Sequence, residues 1–350
     1  CEHYFPTYYL PVYEKQPIIH QGLNEHQAAN FYSLNIHPDG FKSFQKIQGA
    51  ELDFASIKNA FTAWKTVSTF IKIIKNPFTV ESTDANNYTF TTQFTPAAGS
   101  VFTVGVKNAS PIGAALGPSV FESYKKTFSC EPADFDGAVL GCSAVIDGIT
   151  AEELSKAHLT AVVAPDFTKD ALKILAERKE LRLISANRFI SGFFECVSID
   201  DGLLVQTPDN ELFRKWHIVT QTRPVQSQID AMAFGMMIAM IARSDCSIVV
   251  VDSAAVGIAS GHTNRSKAVR LALEDADEYS ARAQEILDAN SKILVSDSAI
   301  PFDERTAQIA EHGIKAIIQA GGAQNDEEFI DFCNQKGISM IFTGMPHISF

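Results

Sequence analysis

Apolar residues recur at three- and four-residue spacing from about Asp53 to Lys75, where Phe54, Ile57, Ala60, Phe61, Trp64, Val67, Phe70 and Ile71 trace one stripe and predict a helix. The polar, turn-rich stretch TVESTDANNYTFTTQFTP predicts a loop or hairpin, and the apolar run at 101–106 a strand that leads through Lys107 and Asn108 into a helix-opening Ser-Pro turn. From Thr150 the alternation becomes regular. Thr150 and Glu153 have the spacing of a capping box, AVVAP (161–165) reads as a short buried strand, Thr168 is placed to cap the helix DALKILAERKE, and LRLIS reads as another strand.

The second half repeats this grammar. A Met-rich apolar helix near 229–243 is followed by strands SIVVVD and AVGIAS, a long helix from about Ser266, strand KILVSD, helix RTAQIAEHG, strand IKAIIQ, helix NDEEFIDFCNQKG and strand ISMIFTG. Helices alternating with short β-rich runs indicate a layered α/β protein. The polar loop IDDGLLVQTPDN (199–210) marks the expected boundary, giving units at 19–200 and 201–350 behind an N-terminal arm at 1–18. That arm, aromatic and proline-containing without a period, reads as an extended segment packing on another surface or as a tail on its own core.

Composition narrows the function classes. At 350 residues the chain is long enough for two ordinary cores or one large one, and its net charge of -12 argues against a nucleic-acid groove. The six cysteines are scattered with no CxxC pair, which favours free buried thiols over a disulfide framework or zinc site. Histidines and carboxylates do not share helical metal-ligand spacing, so no metal is expected. With no apolar run of eighteen residues and no evident signal peptide, the expectation is a cytoplasmic protein off the membrane, although a chain starting at Cys1 is compatible with a removed leader.

Five loops follow predicted strands or precede helices, where backbone amides and side chains converge on ligands. They are HQGLNEHQ (20–27), VKNASPIGAALG (106–117), ASGHTNRSKA (259–268), SDSAIPFDE (296–304) and QAGGAQND (319–326). Each has an ordinary structural reading as well. His26 serves equally as a loop histidine bonding backbone, Lys107 as a strand-end lysine, Asp297 as a turn cap, and Gly321 with Gly322 as a strand-to-helix turn. Met232, Met236, Met237 and Met240 read as gap-filling core side chains. Arg265 opens a helix, where a cation opposes the helix dipole unless an anion faces it.

In this order the loops resemble those of the AICAR transformylase family, folate-dependent formyltransferases of purine synthesis usually fused behind an IMP cyclohydrolase domain. The family's Arg-Tyr-Gly-x-Asn-Pro-His-Gln opening is similar to His20 through Gln27, and its Lys-His-x-x-Pro-x-Gly segment to Lys107 through Gly113. An apolar-Ala-Pro segment matches VVAPDFTKDALKIL, Gly-Gln-x-Ser-Arg resembles Gly261 through Arg265, Ser-Asp-Ala-Phe-Phe-Pro-Phe resembles Ser296 through Phe302, and a Gly-Gly segment resembles Ala320 to Gly322. The resemblance runs from about Ile19 to Phe350. It implies two cytidine-deaminase-like α/β/α subdomains without zinc, an obligate homodimer with sites at the subunit interface, and absence of the cyclohydrolase half.

For the site, the resemblance implies Lys107 and Asn108 at the catalytic positions; His20, Asn24, His26, Gln27, Ser110, Pro111, Gly113, Arg265 and His347 around a small-molecule substrate; and Asp297, Pro301, Phe302, Glu304, Gly321 and Gly322 around 10-formyltetrahydrofolate as co-substrate. The chain departs from the pattern at telling places. Asn108 replaces a proton-moving histidine, a loss that typically lowers rates about 10² to 10⁴-fold. His20 stands where a phosphate-binding arginine is expected, and the C-terminal segment Thr343 to Phe350 lacks a second; Cys246 replaces a substrate-binding Asn and Ala299 a Phe. Two outcomes follow from these changes: formyl transfer to AICAR or a related amine with an altered site, or a retuned or non-catalytic homologue that binds, scaffolds or acts on a non-phosphorylated amine. His262 and His347 are the histidines available to restore proton transfer from other loops.

Overall fold

The computed structural model describes residues 6–16, 22–24, 26–34, 44–95, 99–187, 194–283 and 292–350. The first half builds helix α1 (Phe54–Thr69), hairpin β1 (Val101–Lys107) and β2 (Ser110–Gly117), helix α2 (Val120–Cys130), strand β3 (Val139–Cys142), helix α3 (Gly148–Leu154), strand β4 (Ala161–Ala164), helix α4 (Lys169–Leu175) and strand β5 (Arg182–Ala186). The second half builds helix α5 (Gln226–Ala239), hairpin β6 (Ser247–Val251) and β7 (Ala254–Ala259), helix α6 (Arg265–Ala283), strand β8 (Ile293–Ser296), a 3₁₀ turn (Thr306–Ala310), strand β9 (Ala316–Gln319), helix α7 (Asp326–Lys336) and strand β10 (Ser339–Phe342).

The two halves are repeats in topology as well as in element order. In each, the first hairpin strand pairs antiparallel with the next strand, and the last three strands run parallel. The halves join where β2 and β7 pair antiparallel, Ala115 opposite Ala254 and Ala114 opposite Ala255, so strand order reads 5-4-3-1-2 and then 7-6-8-9-10 across the seam. Further strands extend this one sheet to fourteen. Phe44–Gln48 lies on the first edge, and Lys215–Ile218 joins β10 to the hairpin Phe78–Thr83 and Thr89–Phe94 at the other. That hairpin is therefore hydrogen-bonded to the second half although it precedes β1 in sequence. Tyr13–Gln16 with Phe31–Leu34 and Glu195–Ile199 with Gly202–Gln206 form separate two-stranded ribbons.

Strands are apolar on both faces because both faces are covered. Alternate residues of β6 divide the core: Ile248 and Val250 pack with α1 and α5 on one face, Val249 and Val251 with α6 and α7 on the other. Helices α2, α3 and α4 cover that second face over the first half. Helix α5 lies deep, and its three methionines, with Phe234 and the capping Met240, fill the space over the joined sheets as gap-filling side chains do. Cys130, Cys142 and Cys333 are buried thiols pushed up to about 12 by burial, which removes them as nucleophiles at neutral pH.

Several local expectations are corrected. Ser110 and Pro111 open no helix: Lys107 to Ser110 close a tight β-hairpin with Asn108 (φ 52°) and Ala109 (φ 58°) as its two central residues. The equivalent turn in the second half places Asp252 and Ser253 at φ 43° and 62°. Two left-handed residues in succession match the right-handed twist of the strands, and Asn or Asp tolerates the first position well. The cap of α3 is Asp147, whose carboxylate accepts from Thr150 N at 2.8 Å, so the helix begins a turn before the Thr150–Glu153 pair; the Thr150 hydroxyl is buried without a partner. Within the stripe of α1, Phe54 and Phe61 point outward, and residues 199–210 are mostly a ribbon rather than a loop.

The repeat also explains two glycines. Gly113 and Gly257 hold the same place in their hairpins, where the next helix crosses closely: a Cβ on Gly113 would lie 2.9 Å from Cys130 Cβ, and one on Gly257 2.1 Å from Ala272 O. Gly113 thus has a packing role on α2 independent of any ligand.

Candidate functional site

The hairpin tip at 107–112 reaches across the seam to the end of β7. There it borders a cleft of about 450 Å³ lined by Lys107, Asn108, Ser110, Pro111, Ile112, Asp134, Arg243, Ile258, Ala259, Ser260, Gly261, His262, Leu271 and Asp275. Both halves contribute walls. Ser110 Oγ and Ser260 Oγ are 2.8 Å apart across the seam, and Asn59 Oδ1 on α1 accepts from Ala109 N at 2.6 Å, fixing the tip. Lys107 Nζ donates to Asp134 O at 3.2 Å. Neither Lys107 nor Arg243 forms an ion pair among the described residues, so two cationic heads face the cleft with charge to spare.

Opposing them, Asp275 on α6 is pushed up to about 6, by burial first and then by Glu131, Glu278, Glu274 and Asp134. His262 is lowered from its ordinary value, by burial first and then by Lys267, while Asp245 opposes the shift. Asp275 holds its proton more tightly in the fold than in the unfolded chain. Its contribution to stability is full below the unfolded carboxyl value, falls as pH rises toward 6, and is a constant penalty above that. Asp275→Asn is therefore expected to stabilise the protein by about 2 kcal/mol above pH 6 after allowance for partial exposure. Urea titrations from pH 4 to 8 check this. A gain that does not grow between pH 4 and 6 contradicts the assignment.

Of the residues singled out from sequence, the structure gathers Lys107, Asn108, Ser110, Pro111 and His262 in this cleft. A second group surrounds the carboxyl ends of β8, β9 and β10. Asp297 is fully buried and bonds Arg265 Nη1 and Ser244 Oγ, while Arg265 Nη2 reaches Asp245 Oδ1 at 2.5 Å. The anion that the helix dipole demands opposite Arg265 is thus supplied twice from within the chain. His347 is buried as well, with Nδ1 2.6 Å from Asp209 Oδ2 and Nε2 3.1 Å from Leu212 O.

Phe302 follows Pro301 and stacks on Phe329 at 5.1 Å, Glu304 is exposed beside it, and Gly322 N donates to Asp326 Oδ2 at 2.6 Å. Gly321 (φ 76°) passes so close to Phe342 that a Cβ would come within 2.6 Å of its ring. The two groups touch through one strut, since Asp245 N donates to His262 O at 2.8 Å. Asn24 and Gln27 close a small turn of their own, Asn24 Nδ2 donating to Gln27 Oε1 at 2.8 Å, with His26 exposed on it. His20 lies outside the described residues.

Sequence reading missed Arg243, Asp134 and Asp275 as cleft residues. Arg243 and Asp134 sit in irregular segments without motif spacing, and Asp275 is one acidic residue among several on a long helix, so only folding singles them out. Cys246 is buried in the core beside the Asp297–Arg265 group and does not line the cleft. Among the described residues no group of three or more His, Cys, Asp or Glu is arranged to hold a metal, and no helix is long and apolar enough to cross a membrane.

Two repeated α/β halves with a charged cleft at their junction define the class, a mixed α/β protein with a ligand-sized site at an internal seam. The chain belongs to the family described as the AICARFT/IMPCHase bienzyme, whose pattern residues 2–275 match. It is 34% identical to the bifunctional purine biosynthesis protein PurH of Clostridium acetobutylicum over 98% of its own length and 61% of that protein. The corresponding protein of Clostridium botulinum strain Kyoto is 34% identical over 99% of the chain, and that of Clostridium kluyveri 33% over 98%, each again covered to 61%. The chain therefore spans about three-fifths of the relatives it matches.

Proposed function

We propose that this chain transfers a formyl group from 10-formyltetrahydrofolate to the amine of AICAR or a related acceptor, as a homodimer of cytidine-deaminase-like subdomains. The observation that carries the reading is the seam cleft, in which Lys107 and Arg243 face open space from opposite halves of the repeat. The order of helix, hairpin, helix and three parallel strands, present twice, supports the subdomain assignment.

A weakly nucleophilic amine attacking a formyl carbon needs positioning and a cation near the oxygen that gains charge. Lys107, pinned at the base of a rigid two-residue turn, is suited to that second task. Asn108 orients the acceptor and does not move its proton. Pro301, Phe302, Glu304, Gly321 and Gly322 are assigned to the folate ring side, and the free charge of Arg243 suits an anionic group on either substrate. Arg265 and Asp297, which satisfy one another, shape the wall between the two groups.

The purified protein, given AICAR and 10-formyltetrahydrofolate, is expected to release tetrahydrofolate and formylated product. Lys107→Met is expected to lower kcat/KM about 10² to 10³-fold, in line with loss of one preorganised donor. The unphosphorylated riboside, assayed alongside, tests the acceptor, because the family's two expected phosphate arginines are missing from the sequence. Absence of turnover in an assay able to detect a 10⁴-fold weakened rate, together with no thermal shift from the folate, rejects the formyltransferase reading. A thermal shift from nucleotide alone would then favour the binding-subunit alternative.

A further inference from the structure

We propose that His262 is the proton-transfer group of this cleft, taking from the opposite half of the repeat the part that Asn108 cannot play. The inference rests on the formyl-transfer reading. Such a reaction removes one proton from the attacking amine and delivers one to the departing nitrogen, and an amide side chain exchanges neither near neutral pH.

The cleft's ionisable lining is Lys107, Asp134, Arg243, His262 and Asp275. Arg243 carries only donors and no acceptor. Lys107 is committed to the transferring oxygen, and Asp134 is exposed at the rim. Asp275, pushed up to about 6 by burial and then by Glu131, Glu278, Glu274 and Asp134, is the other lining group able to exchange a proton, and the Asp275→Asn arm of the test separates it from His262.

His262 differs from the other described histidines that are held by partners. The rings of His217, His312 and His347 are bonded to Thr83, Asp277, and Asp209 with Leu212, and His158 faces Asp136. Among the described residues His262 is held through its backbone, whose N–H and C=O both pair with Asp245, and its partly buried ring has no hydrogen-bond partner there. Burial and Lys267 favour the neutral ring, the form that accepts a proton, and Asp245 opposes it; Lys107, Arg243, Asp134 and Asp275 are the other ionisable groups of the lining.

As the amine nitrogen forms its bond to the formyl carbon, the His262 ring accepts the amine proton. As the bond from that carbon to the folate nitrogen breaks, the ring returns the proton to the departing nitrogen, leaving imidazole and electron count unchanged.

The test is a pH–rate profile of the full chain and of His262→Gln and Asp275→Asn, with AICAR, the unphosphorylated riboside and 10-formyltetrahydrofolate, and with folding checked by thermal unfolding. The expected result is a drop in kcat of about 10² to 10⁴-fold in His262→Gln, loss of the acidic limb of the profile, little change in KM, and an acidic limb retained in Asp275→Asn. Folded His262→Gln that keeps its rate within threefold and its acidic limb overturns the inference while leaving formyl transfer standing, as does loss of that limb in Asp275→Asn alone. Wild-type protein without turnover on either acceptor overturns both.

Discussion

Arg265→Met is expected to destabilise the fold by about 3–5 kcal/mol, the range for removing one partner of a buried ion pair. The reason is Asp297, fully buried at the end of β8. Its carboxylate is held by Arg265 and the Ser244 hydroxyl, its backbone N–H donates to Cys246 O at 3.3 Å, and its carbonyl accepts from His347 N at 2.8 Å. Without the guanidinium, a charged carboxylate is left among the start of β6, the start of α6 and the C-terminal segment. Arg265→Met with Asp297→Asn is expected to recover much of the loss, because it removes the stranded charge as well as its partner. Urea denaturation of the single and double variants decides it. A single variant within 1 kcal/mol of wild type would mean the pair is not the buried strut the geometry indicates. The same arrangement bears on ligands: one cation between two carboxylates leaves the cluster net negative, a poor host for phosphate.

Trp216→Ala is expected to cost about 3–5 kcal/mol, the range for emptying a large aromatic site in a core. Trp216 is fully buried in the strand Lys215–Ile218, with its ring 4.8 Å from Phe94 and 5.0 Å from Phe213. That strand ties the hairpin at 78–94 to β10, so the cavity would open at the joint between an early segment and the second half. The indole N–H is buried without a hydrogen-bond partner. Trp216→Phe deletes that unpaired donor along with some volume, and the saving of about 1–3 kcal/mol from the donor offsets part of the packing loss. The phenylalanine variant is expected to stay within about 2 kcal/mol of wild type. Equal losses in both variants would show that packing alone governs the site.

Legibility in the sequence followed the range of the interactions involved. Strands 161–165 and 247–252 were readable because uninterrupted β-branched and small apolar runs have few alternatives to a doubly covered sheet. Thr168 was readable as a cap because its hydroxyl acts within three residues, accepting from Ala171 N at 3.2 Å. Asp147 and Thr150 both satisfy the local capping rule, and the fold uses Asp147 and buries the Thr150 hydroxyl. Ser-Pro after Lys107 read as a helix start on local grounds, whereas pairing of Val101–Lys107 with Ser110–Gly117 made it a hairpin.

The candidate site divided in the same way. Lys107 and Asn108 were found from a local motif, and the turn gives Asn108 a backbone role at positive φ beside any role with ligand. The grouping of Arg243, Asp275 and His262 with Lys107 in one cleft depends on β2 meeting β7, residues about 140 positions apart in sequence.

The sequence by itself determined the layered α/β class, the repeated order of elements and the family, because apolar periodicity and short motifs are properties of neighbouring residues. Only the tertiary structure decided that the two repeats join edge to edge, that Arg265 is neutralised from within, and that a histidine from the second half shares the seam cleft with Lys107 of the first. Those are contacts between segments far apart in the chain, and their geometry is set by sheet pairing and close packing rather than by any local preference.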